Sequence, residues 1–187
     1  MLRESLAHNT MAISGESHSL AATAFSWRTT ATGRLLGAGH APEWEVAADH
    51  DGYQNRFGVR HVRKIRRLRS GIAVEDSLSG DPRPSAVELR FLCHPDIEAA
   101  LDGNDITICG RDGALCRIVP PRGFCAAIAS AQVSLRFGQM TTTRQLILAG
   151  ELSREPALTQ VALSEPSMAD CSRTLEMTPV HAGALNR

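Results

Sequence analysis

Apolar residues along this chain recur at every second position over short runs. In "SAVELRFLCHP", Val87, Leu89, Phe91 and Cys93 fall on one parity against Glu88, Arg90 and Leu92 on the other, and Pro95 stops the run. A period of two is that of a strand, whose successive side chains point to opposite faces. "TMAISG" alternates in the same way and ends at Gly15. "SGIAVEDSLSGDPRP" starts at a Ser-Gly turn, runs Ile72-Ala73-Val74 into Asp76 and Leu78, and ends at Gly80-Asp81-Pro82.

Turn signals punctuate these runs. "DITICGRDGALCRIVPP" predicts two strands joined across Gly110-Arg111-Asp112-Gly113, because an Asp-Gly step favours a tight hairpin. "AIASAQVSLRFG", with Val133, Leu135 and Phe137 alternating, and "TTTRQLILAGEL" predict two more strands. Many short antiparallel strands at regular spacing predict an all-β fold, an antiparallel β-sandwich. "HPDIEAALDG" fits either a short helix opened by Pro95-Asp96 and closed at Gly103, or a connecting loop. Periodicity ends near Leu163, so the sandwich is expected over residues 1–163 and an unstructured or divergent tail over 164–187. No internal repeat is evident.

Composition narrows the classes. The 187 residues are enough for one domain with a core. Lys+Arg 20 against Asp+Glu 20 leaves no global field, so an anionic partner must be met by a local patch. No apolar stretch approaches the roughly 20 residues needed to span a bilayer. The N-terminus lacks the layout of a secretory signal. Five cysteines, with no Cys-x-x-Cys pair and no zinc-finger spacing, are expected to be buried free thiols.

The densest charge lies in "RHVRKIRRLR", Arg60 to Arg69, with six Lys or Arg in ten residues. Two readings fit: an anion-binding surface carried by Arg60, Arg63 and Arg66, or an exposed strand whose Val62, Ile65 and Leu68 meet a core while cationic side chains cover its rim. Nucleic acid is not expected, since no binding motif or stacking pattern accompanies the run. His50-Asp51-Gly52-Tyr53 fits a proton-transfer set if a turn makes the side chains converge, or simply a turn. His94 fits a turn, and His18, His40 and His181 have no evident partners in sequence. "GRLLGAGH" lacks phosphate-loop spacing, and no nucleophile elbow or metalloprotease helix is present.

Several segments, taken in order, resemble the C-terminal β-sandwich of the heparinase II/III-like family of polysaccharide lyases. They are "AHNTMAISG" with its His-Asn-Thr step, "FSWR" at 25 to 28, "ADHDGYQNRFGVRHVRKIRRL" at 48 to 68, "IAVEDSLSG" at 72 to 80 and "LRFLCHPDIE" at 89 to 98. Departures are "ALCRI" at 114 to 118 and the unmatched tail. The resemblance implies an eliminative reaction on a uronate-containing anionic polysaccharide. The uronate carboxylate is neutralised, a base removes the C5 proton, and an acid, commonly Tyr or His, protonates the leaving oxygen. Neutralisation is required because a free carboxylate makes the adjacent C–H far less acidic.

The resemblance further implies that such a sandwich works against an N-terminal helical toroid. It also places His8 as one ligand of a zinc site, whose partner His and Asp come from preceding strands. Closed zinc sites take four ligands, so this chain alone is not expected to hold the metal. Relative to the family the sandwich is expected to be incomplete at its N-terminus, and no catalytic residue, Tyr53 included, is carried over. Expected partners are acidic polysaccharide and either a separate helical half or a second copy paired through exposed strand edges. Relatives are often periplasmic, whereas no signal is legible here. The rival expectation from another class is a non-catalytic module that binds acidic polysaccharide.

Overall fold

The computed structural model describes residues 3–40, 42–111 and 113–164. In chain order the strands are β1 (Met11–Ile13), β2 (Leu20–Ala21), β3 (Trp27–Thr29), β4 (Gly33–Ala38), β5 (Glu45–His50), β6 (Val59–Leu68), β7 (Gly71–Gly80), β8 (Ser85–Leu92), β9 (Glu98–Asp102), β10 (Asp105–Gly110), β11 (Gly113–Val119), β12 (Cys125–Arg136), β13 (Gln139–Leu152) and β14 (Ala157–Leu163). A 3-10 turn at Ser5–Ala7 precedes β1, and one helical turn, α1 (Gln54–Phe57), links β5 to β6. The larger sheet has the order β4-β5-β6-β7-β14-β11-β10-β9 and the smaller β1-β8-β13-β12. Every pairing is antiparallel, and the two sheets pack as the expected sandwich.

Alternation decides what enters the core. Val87 and Leu89 of β8 are buried while Glu88 and Arg90 pair on the opposite face. The core joins Met11, Ile13, Leu146 and Leu148 of the smaller sheet to Val59, Leu78, Ile106 and Ile118 of the larger. The expected strands β10 and β11 pair as a hairpin, with Gly110 opposite Gly113.

The structure departs from the sequence reading in three places. "HPDIEAALDG" is neither helix nor loop: after a turn in which Ile97 N–H donates to His94 O (2.9 Å), it becomes β9, the edge strand beside β10. The apolar residues there suit a helix, but Gly103 at φ +62° closes a two-residue hairpin, and Asn104 fixes it by bonding Phe124 O and Ala126 N. Leu135 and Phe137 alternate yet stay exposed, because they lie at the tip of the β12–β13 hairpin, where residues 134–142 are exposed throughout. Cys109 is disulfide-bonded, against the expectation of free thiols, whereas Cys93, Cys116 and Cys125 are free. Residues 165–187, with His181 and nearly all of the expected tail, lie outside the described residues.

Candidate functional site

The basic run is β6, a strand well inside the larger sheet, and its parity splits the expected patch. Val59, His61, Arg63, Ile65 and Arg67 face the smaller sheet; Arg60, Val62, Lys64, Arg66 and Leu68 face outward. Arg60 and Arg66 therefore share a face and Arg63 does not.

On the outer face Arg60 and Arg34 both grip Asp49. Arg60 Nη2 lies 2.9 Å from Asp49 Oδ1 and Arg34 Nη2 2.8 Å from Oδ2, each with a second bond through Nε. The Arg60 and Arg34 hydrogen bonds hold the Asp49 carboxyl well below the usual carboxylate range. Lys64 lies between Glu45 and Glu75 at 4.0 and 3.9 Å. Arg66 has no carboxylate partner among the described residues.

The inner face carries a buried polar chain that register assembles. His61 stands opposite His50 on β5, and Arg63 stands opposite Asp76 on β7. Asp76 is fully buried. Arg63 Nε donates to its Oδ1 at 2.8 Å and Nη2 to its Oδ2 at 3.0 Å, and His61 Nε2 adds a bond of 2.6 Å. Burial pushes the Asp76 pKa up, but the His61 hydrogen bond and the Arg63 charge outweigh it and hold the carboxyl below its ordinary value. His50 Nε2 lies 3.1 Å from His61 Nδ1, and Gly52 N–H points to His50 Nδ1 at 3.3 Å. One neutral tautomer set satisfies all of these contacts: Gly52 N–H donates to His50, His50 Nε2–H to His61, and His61 Nε2–H to Asp76.

His18 completes the group, its ring centroid 4.9 Å from that of His50. The close approach needs Gly52, where a Cβ would fall 2.5 Å from His18 O. Burial, then the neighbouring His61 and His18, push His50 down to about 3; burial and His8 lower His18. His50 and Asp51 do not converge, since Asp51 Oδ1 accepts from Thr32 N at 2.7 Å. The phenol of Tyr53 is fully buried, 2.8 and 3.0 Å from the carbonyl oxygens of Met11 and Glu16, its single proton serving either. Burial raises it to about 12. The His-Asp-Gly-Tyr step is thus a turn that anchors β1, and His94 likewise closes a turn by accepting from Asp96 N.

The His-Asn-Thr step is lashed to both sheets. Asn9 Oδ1 accepts from Leu92 N at 2.6 Å, and Asn9 O accepts from Arg63 Nη1 at 2.8 Å. His8 ends the 3-10 turn and is exposed. Among the described residues no group of three His, Cys, Asp or Glu side chains gathers as a metal site. The residues on hand therefore do not fit a closed zinc centre. A groove of about 390 Å³ beside the 3-10 turn contains Glu4 as its one carboxylate and no histidine, so it offers no acid–base pair.

His61 and Asp76 were not singled out from sequence. The signal was their parity: His61 shares the face of Val59, and Asp76 shares that of Val74 and Leu78. A charge on the apolar parity of a strand implies a buried partner.

The fold has solved counterparts. A heparan sulfate lyase, HepC from Pedobacter heparinus, matches at a TM-score of 0.71 with 13% identity, over 87% of this chain and 25% of that one. A heparinase III structure matches at 0.65 with 15% identity, over 88% of this chain and 25% of that one. The chain thus spans about a quarter of the length of these structures. No curated protein matches it in sequence. The profile described as "Heparinase II/III-like, C-terminal" matches residues 1–162, nearly all of the described chain, and the chain belongs to that family.

Proposed function

We propose that this chain is the sandwich portion of a polysaccharide lyase that cleaves a uronate-containing anionic polysaccharide by β-elimination. The match over residues 1–162 carries the reading, and the sandwich shared with heparan sulfate and heparinase III lyases supports it. In this reading the sandwich supplies a rigid, cation-bearing wall, and the reacting acid and base come from outside the described residues. His8 would give a single imidazole to a metal whose other ligands also lie outside them. Of the three arginines first considered for substrate, Arg66 is the one without a carboxylate, while Arg60 and Arg63 hold the sheet together.

The native polypeptide that carries this sequence, incubated with heparan sulfate, hyaluronan or alginate, is expected to form unsaturated uronate, seen by its ultraviolet absorbance. No such product from any uronate polymer would overturn the reading.

A second reading is favoured by β4. It is the edge of the larger sheet, all six of its residues are exposed, and Leu35 is 66% exposed. An open edge of this kind invites a further strand. A separate helical lyase half or a second copy of the chain would be the occupant. Sedimentation that shows a monomer at high concentration, alone and with the helical half, would set this aside.

A further inference from the structure

The cations of β6 divide into two sets. Arg60, Arg63 and Lys64 each face a carboxylate. Arg66, Arg67 and Arg69, at the end of the run, have none among the described residues, and Arg67 and Arg69 are exposed. Glu45 stands opposite Arg66 in register, but its ion pair is with Lys64. Unpaired arginines retain their full capacity for forked hydrogen bonds to carboxylate or sulfate.

An aromatic residue lies at the same place. Arg67 N–H donates to Trp44 O at 3.0 Å, which continues the β5–β6 register by one residue and sets Trp44 directly opposite Arg67. Opposed residues of an antiparallel pair share a face. Trp44 is half-buried.

The tip is also held rigid. Arg69 and Ser70 form the two-residue connection between Leu68 and Gly71, and Leu163 N–H donates to Ser70 O at 2.9 Å. Gly71 packs so closely on β14 that a Cβ there would lie 1.9 Å from Val161 O. A preorganised tip loses little entropy on binding.

We propose that Trp44, Arg66, Arg67 and Arg69 form a docking site for a sulfated or carboxylated sugar chain, outside the reacting centre. The apolar face of one sugar ring lies on the Trp44 indole, and arginines on both faces of the hairpin tip take the flanking anions. The inference rests on the polysaccharide reading above. It deepens that reading by assigning the grip to the hairpin tip instead of the middle of β6.

The test uses the full chain with Trp27→Phe, which leaves Trp44 as the sole tryptophan, excited selectively over Tyr53 and titrated with a heparan sulfate oligosaccharide. A saturable, salt-sensitive change in emission is expected. Arg66→Ala/Arg67→Ala/Arg69→Ala should weaken binding by roughly tenfold or more, while Arg83→Ala/Arg122→Ala/Arg136→Ala, an equal loss of exposed charge elsewhere, should leave it nearly unchanged. Trp44→Leu, which removes the reporter and is therefore followed by titration calorimetry, should weaken binding and keep its salt dependence. Equal weakening by both triple variants, full binding by the tip variant, or equally effective displacement by a single-stranded oligonucleotide of matched charge would overturn the site and leave the lyase reading standing. Loss of unsaturated uronate formation in the native polypeptide's own assay would instead remove the reading on which the site rests.

Discussion

Asp76 shows how much one position can hold. A buried carboxylate is tolerable only when its charge is met, and here Arg63 and His61 meet both oxygens. Arg63→Ala removes the bidentate partner, frees Asn9 O and uncovers the ring of Phe91, 5.5 Å from the guanidinium. We expect a loss of about 3 to 5 kcal/mol of unfolding free energy, as for other broken buried pairs, read from urea denaturation. Asp76→Asn should cost less than Arg63→Ala if the neutral amide still accepts from His61, and a larger cost would mean that the charge itself anchors the site. His50 adds a pH dependence. Its pKa falls from an ordinary 6.5 to about 3 on folding, so the unfolded chain binds the proton more readily. The stability it contributes is complete above about pH 6.5 and is lost as pH falls toward 3, the same direction as for the depressed Asp76. His50→Gln, which keeps a donor toward His61 without a titrating ring, should flatten the fall in melting temperature between pH 6.5 and 4.

At the scale of elements, legibility followed burial. β6, β7 and β8 were readable because each has one face on the core and one outside, which writes a period of two into the sequence. β4 was not: as an exposed edge strand, "GRLLGA" has no inner face to impose alternation. β9 was misread for a related reason, since an edge strand with exposed Ala100 and Leu101 keeps helix-compatible residues that tertiary pairing overrides. The polar chain was invisible to spacing because it is assembled across three strands by register. Tyr53 links elements distant in sequence, tying α1's entry to β1 and its following turn. Tyr53→Phe would leave the carbonyls of Met11 and Glu16 without that donor, and a loss of about 1 to 3 kcal/mol is expected in thermal or urea unfolding. Loss of the β1–β8 amide protection before the rest of the smaller sheet, seen by hydrogen exchange, would accompany it; uniform protection would show that the tether is dispensable.

For the whole molecule, what the geometry holds back matters as much as what it shows. Elimination needs a group to neutralise the uronate, a base at C5 and an acid at the leaving oxygen, all within reach of one sugar. Among the described residues, the buried candidates already have partners. His50 and His61 are joined in the chain that ends on Asp76, Tyr53 gives its proton to backbone carbonyls, and Arg60 and Arg63 are locked on carboxylates. Each could act only by breaking a bond that supports the sandwich. The 187-residue chain by itself is therefore expected to bind acidic polysaccharide yet form no detectable unsaturated uronate over hours of incubation with heparan sulfate. Turnover at enzyme-like rates by this chain alone would contradict the assignment of the histidines as structural. A pH–rate profile of His50→Gln would then identify whether that ring is the base.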